Sequence, residues 1–185
     1  MRYVAMAMTV ALYGCAGDND ALDWALVEDT DHLEREPPLY GGCGDVFLYA
    51  KSASDRVGMT IGTYGLEYSL IEEAREAGGS VEMVVELPAD GIDIVMQAGR
   101  NLSRYWCNDA IYPPLPFVRV EAFPVSGTLT LEVSSDLDIT SSWYTPGTAT
   151  AILEDVVWAT EGGVVIDRLP ADIELYDVFV GWLAG

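Results

Sequence analysis

Along most of the chain, apolar residues alternate with polar ones in short runs, and glycine, proline, aspartate and serine punctuate the runs. "SVEMVVELP" (80–88) puts Val81, Met83, Val85 and Leu87 on one side and Glu82 and Glu86 on the other. "FVRVEAF" (117–123) sets Val118, Val120 and Ala122 against Arg119 and Glu121, and "GTLTLEVSS" (127–135) sets Leu129, Leu131 and Val133 against Thr128, Thr130 and Glu132. A period of two marks half-buried strands. The same texture predicts strands in "DVFLYAK" (45–51), "VGMTIGTYG" (57–65), "GIDIVMQAG" (91–99), "TATAILEDVVWA" (148–159), "GVVIDRL" (163–169) and "DIELYDVFVGWL" (172–183). Only "LIEEAREA", within 69–77, is rich in helix formers.

Eight or nine short strands without helical crossovers predict an all-β, antiparallel fold. A two-sheet β-sandwich, jelly-roll-like, is preferred to a closed barrel because strongly alternating strands suit sheets with one wet face. The strands occupy 39–185. Before them, "AGDNDALDWALVEDTDHLEREPP" (16–38) is acidic and ends in two prolines, so residues 15–38 read as a tether.

The first residues have another pattern. After Met1-Arg2 comes an apolar run from Val4 to Leu12, then Tyr13, Gly14 and Cys15. The run is far short of the ~20 residues of a membrane-spanning helix, but it suits the apolar part of a secretory signal. Leu12-Tyr13-Gly14-Cys15 resembles the lipobox of bacterial lipoprotein signal peptides, with leucine three residues before the cysteine and a small residue directly before it. Tyr13 departs from the small or hydroxylic residue usual at its place. The resemblance covers residues 1–15. It implies a signal peptide over 1–14, lipidation of Cys15, and an extracytoplasmic protein held to the membrane by an N-terminal lipid anchor. Ala16, not aspartate, follows the cysteine, which in a Gram-negative host implies the outer membrane. With Cys15 so used, Cys43 and Cys107 remain as an even pair, and an oxidising compartment favours their disulfide. It would close a loop of about sixty residues and contribute about 4 kcal/mol on a chain-entropy account. The bridge would also staple the aperiodic connection "RNLSRYWCNDAIYPPLP" (100–116).

Charge narrows the function. Thirty Asp and Glu against nine Lys and Arg give a net charge of −21, which repels phosphate backbones and argues against nucleic acid as a partner. The single histidine, His32, lies in the tether; no Gly-x-Ser-x-Gly elbow and no phosphate-binding glycine loop is present. Carboxylates remain, and an acid pair would serve a glycoside hydrolase, although thirty acids supply such pairs by chance. Calcium is the other use of hard oxygens. The disulfide would bring Asp45, Asn108 and Asp109 towards one another; Asp136 with Asp138, and Asp90 with Asp93, are further sets. Turn chemistry of Asp and Asn accounts for the same residues. Ten tyrosines and five tryptophans outnumber four phenylalanines. Tyr105, Trp106 and Tyr112 in one loop, and Trp143 and Tyr144 in another, are candidates for a glycan- or protein-binding surface, or for plugs over the core. The sequence thus predicts a non-catalytic binding or structural module, with a carbohydrate-binding module as the sharper alternative.

Overall fold

The computed structural model of the chain describes residues 39–67, 69–108, 113–135 and 146–181. The expected signal peptide, lipidation site and tether lie outside them. The all-β antiparallel class is what the chain adopts. Eight strands form one sheet: β1 (Leu39–Cys43), β2 (Phe47–Lys51), β3 (Val57–Gly62), β4 (Ser80–Glu86), β5 (Asp93–Arg100), β6 (Phe117–Ser135), β7 (Gly147–Ala159) and β8 (Ile173–Val180). A seven-residue helix, α1 (Leu70–Glu76), joins β3 to β4, and a 3-10 turn, η1 (Leu102–Tyr105), follows β5.

The strand order is β1-β2-β3-β5-β6-β7-β8, and β4 pairs with the far half of β6, on the edge whose near half pairs with β5. The path then bends back on itself. Gly181 donates its N–H to the Gly44 carbonyl at 2.8 Å. A Cβ at Gly42 would stand 2.7 Å from the Phe179 carbonyl oxygen, so β1 rests directly against β8. The result is a single, nearly closed, barrel-like sheet; the expected division into two sheets is not seen among the described residues.

Curvature comes from bulges. In β6 the buried positions are Val120, Ala122 and Pro124, then Leu129, Leu131 and Val133, so the inward phase slips from even to odd numbers around Ser126–Gly127. Gly127 takes φ +129°, and a Cβ there would press on the Val156 backbone. Asp155 in β7 and Asp177 in β8 take φ 54° and 52°, and both mark places where two neighbouring residues face outward. An extra residue coils the strand and increases its twist, and aspartate tolerates the left-handed conformation better than most residues. The inward side chains, including Leu48, Met59, Ile61, Leu129, Leu131, Leu153, Trp158 and Leu175, fill the interior.

Two expectations change. "GVVIDRL" is not a strand: it forms a turn with one bridge, Val165 to Ala159, and tucks Ile166 and Leu169 into the core. Cys43 does not precede the first strand but ends β1, which has no alternation to reveal it. The helical expectation holds as α1. Ser69 caps it, accepting from the Glu72 N–H at 3.2 Å, and Leu70, Ile71 and Ala74 are buried.

Candidate functional site

The segment after β5 is fastened across the outer face of β1, β2 and β3. Asn101 turns the chain with φ 57° and η1 follows. At its start the Ser103 N–H donates to Asp55 Oδ1 at 3.0 Å, and Lys51 Nζ donates to Ser103 Oγ at 2.7 Å. Lys51 and Asp55 lie 3.5 Å apart, so one ion pair between the end of β2 and the β2–β3 turn holds both ends of this contact. Leu102 fills the space beneath and is buried. Next, the edge of the Trp106 six-membered ring covers a glycine. Gly58 faces outward from β3, and a Cβ there would collide with the indole ring. Tyr49, on the same face of β2, meets Trp106 with ring centroids 5.4 Å apart. Gly41 opposite leaves room for the Tyr49 phenol, because a Cβ would stand 2.8 Å from its ring carbon. Finally, the disulfide joins Cys107 to Cys43, with Cα atoms 5.6 Å apart and a sequence separation of 64.

Three different interactions therefore fix one short stretch, in a latch from the β2–β3 turn to the end of β1. Fixing it makes the surface around it rigid. Tyr105 stays 38% exposed, and Leu115 (58%), before β6, and Phe117 (53%), its first residue, are exposed as well. The Arg100 guanidinium stands 5.6 Å over the Phe117 ring. Farther along the same face, Tyr64 stacks on Phe47 at 5.9 Å and lies over Gly62. Burial, and then the neighbouring charge of Asp93, push the Tyr64 phenol above its ordinary pKa of 10.0.

Of the aromatic candidates, the structure brings Tyr105 and Trp106 into this latch but gives them different parts. Trp106 is a half-buried clamp, whereas Tyr105 faces solvent. Tyr112, Trp143 and Tyr144 lie outside the described residues. Sequence reading missed Tyr49, Gly58, Asp55 and Lys51; the only signal was a glycine at an outward position of a strand, where an aromatic neighbour commonly covers the bare backbone.

The calcium candidates fare differently. Asp45 sits in the β1–β2 turn, where its carboxylate accepts from the Ser69 hydroxyl at 2.9 Å and its carbonyl accepts from Thr63 Oγ1 at 2.9 Å. It braces the entry to α1. The Asn108 amide donates to the Arg104 carbonyl at 3.3 Å and closes the turn after η1. Asp109, Asp136 and Asp138 lie outside the described residues. Among the described residues, no three His, Cys, Asp or Glu side chains gather as a metal set.

Other hollows carry polar groups, one of about 290 Å³ with Arg119, Glu121 and Glu161 in its lining, and two more away from the latch. One, of about 500 Å³, is rimmed by Glu67, Ser69, Glu72, Glu73 and Glu76 around α1. The other, of about 240 Å³, is lined by Ser134, Ser135, Pro146, Gly147, Thr148 and Phe179, and the buried Ser135 hydroxyl has no hydrogen-bond partner. A hydroxyl becomes a nucleophile only beside a base, and among the described residues no ionisable side chain lines that hollow.

No protein-family model, no curated protein and no solved structure matches this chain.

Proposed function

We propose that the chain is an exported, lipid-anchored binding or structural module that performs no chemistry of its own. It offers the latched face of its barrel to a glycan or protein partner outside the cytoplasm. The observation that carries this reading is the triple fastening of residues 102–107 by the Asp55–Lys51 pair, the Gly58–Trp106 contact and the Cys43–Cys107 bridge. A loop fixed before binding loses little entropy on binding, and Tyr105 with Phe117 provides flat, half-wet rings of the kind that sugars and protein anchors cover. The bridge supports export, since disulfides persist in oxidising compartments. With two cysteines bridged, Cys15 is the one left for a lipid.

In this reading the curled sheet acts as two facing layers, β1–β3 with β5 bearing the site and β4, β7 and β8 backing it. Calcium is proposed at Asp45, Asn108 and Asp109, with Asp45 Oδ1 also accepting from the Ser69 hydroxyl. The test is a glycan array probed with the bridged full chain and with Y105A. Binding lost in Y105A, at unchanged Tm, supports the carbohydrate form. Equal binding by both contradicts the placement of the site. No binding to any glycan removes the sugar reading and leaves the structural one.

A further inference from the structure

The cations of this acidic chain are not spread evenly. Lys51 ends β2, Arg56 lies in the β2–β3 turn, Arg100 ends β5, Arg104 is in η1 and Arg119 is near the start of β6. The register Lys51↔Gly58↔Gln97, with Arg100↔Phe117 next along, brings all five to one end of the barrel. Among the described residues only Arg75 and Arg168 lie elsewhere. The opposite end carries α1 with Glu72, Glu73 and Glu76, and Glu67 beside it. Three acids share this end, Asp55 paired with Lys51, Glu121 opposite Gln97, and Glu161 lining one hollow with Arg119, so the cations are in excess but not alone; it also exposes the apolar groups Leu39, Tyr105, Leu115, Phe117 and Val118. Arg56 and Arg119 make contacts of their own and count here as charge, not as open donors.

We infer that this end is the docking surface for the chain's own acidic segment, residues 16–38. Charge matches first. The segment carries Asp18, Asp20, Asp23, Glu28, Asp29, Asp31, Glu34 and Glu36 against Arg35 alone, apart from His32. The rest of the barrel is acidic and repels it, and at physiological salt the attraction is felt only within about 8 Å, so it selects a nearby basic surface. Apolar groups match next. Leu22, Trp24, Leu26, Val27 and Leu33 are interleaved with the acids and suit the exposed Leu115 and Phe117. Position is the third support. The segment joins the barrel at Leu39, which pairs with Lys51 at this same end. Docking is therefore intramolecular over a short reach, at an effective concentration on the order of millimolar. The inference goes beyond the proposed function and holds whatever is attached to Cys15.

Lys51 is the only lysine in the chain, which gives a direct readout. The full chain, with its bridge intact, is treated with a water-soluble carbodiimide at low salt, and the monomer fraction is mapped by mass spectrometry. Lys51 couples to Asp55 in any case, an internal standard set by their 3.5 Å contact. Docking predicts further links from Lys51 to carboxylates between Asp18 and Asp31, at least threefold weaker in 1 M NaCl and in R100Q/R104Q. Links to Glu34 and Glu36 are not counted, since the chain path alone brings them near. A variant that leaves the barrel untouched, E28Q/D29N/D31N, should weaken the remaining links at Asp18, Asp20 and Asp23 by a similar factor. Links to Asp55 alone, or distal links unchanged by salt and by both variants, overturn the inference. Distal links confined to dimers overturn it in favour of a second copy. Capture of the full chain by phosphatidylglycerol vesicles through Arg100 and Arg104, without distal links, overturns it in favour of a lipid headgroup.

Discussion

Gly58 and Trp106 work as one unit: the glycine is small because the indole lies on it, and the indole is held because the glycine is bare. Adding a methyl group at position 58 drives the ring from its seat. Overpacking of this kind costs about 1–3 kcal/mol, so G58A should lower stability by that amount in urea melts and shift tryptophan emission as Trp106 becomes wetter. A glycine at an outward strand position was readable in the sequence, but its ring partner arrives from nearly fifty residues away and was not. Asp45 shows the reverse. It stood out as a metal candidate because acids near a disulfide invite one; its hydrogen bond from the Ser69 hydroxyl was not readable, since only the closed fold brings that partner near. Tyr64 carries a pH signature. A phenol whose folded pKa lies above its unfolded one holds its proton more tightly when folded. The resulting stability is complete below pH 10 and is lost as pH rises through the folded pKa. Replacing Asp93 with Asn should move the Tyr64 titration downward by NMR, and Y64F should flatten the alkaline fall of Tm.

At the scale of elements, the strands were legible where alternation is strict. β4 and the two halves of β6 follow their sequence pattern except at Val118, which is exposed where the register with β5 shifts. The change of phase between Ala122 and Leu129 reads as a gap between two strands, but the backbone runs straight through it as one bulged strand of 19 residues. Alternation reports which side a residue faces, not whether the ladder continues, so bulges look like breaks. They also decide how far the sheet curls. At Asp177 the outward pair depends on φ 52°. A β-branched residue there meets the left-handed penalty of about 1–2 kcal/mol. D177V should therefore be destabilised by that much in thermal melts, while D177G stays close to wild type. The disulfide contributes at this scale too. It closes a loop of 64 residues, and opening it in C43S/C107S should cost about 4 kcal/mol in urea melts. The latch should loosen with it, which proteolysis around residues 101–108 would detect.

For the whole molecule, charge and architecture point the same way. One barrel end gathers cations, exposed rings and the entry of the acidic segment; the other is capped by an acidic helix. The all-β antiparallel class was visible in the sequence because strand periodicity and the lack of crossover helices leave few alternatives. Closure was not, because it depends on the bare Gly42 backbone lying against Phe179 of β8 and on the Gly44 carbonyl accepting from Gly181. The central claim is one of address: a leader removed, a lipid on Cys15, and Cys43 bridged to Cys107. The measurement that tests it most directly is the intact mass of the mature protein from its native host. The predicted mass is that of a chain beginning at an acylated Cys15 and lacking two hydrogens for the bridge. A chain that retains Met1, with all three cysteines open to alkylation without reduction, would contradict it.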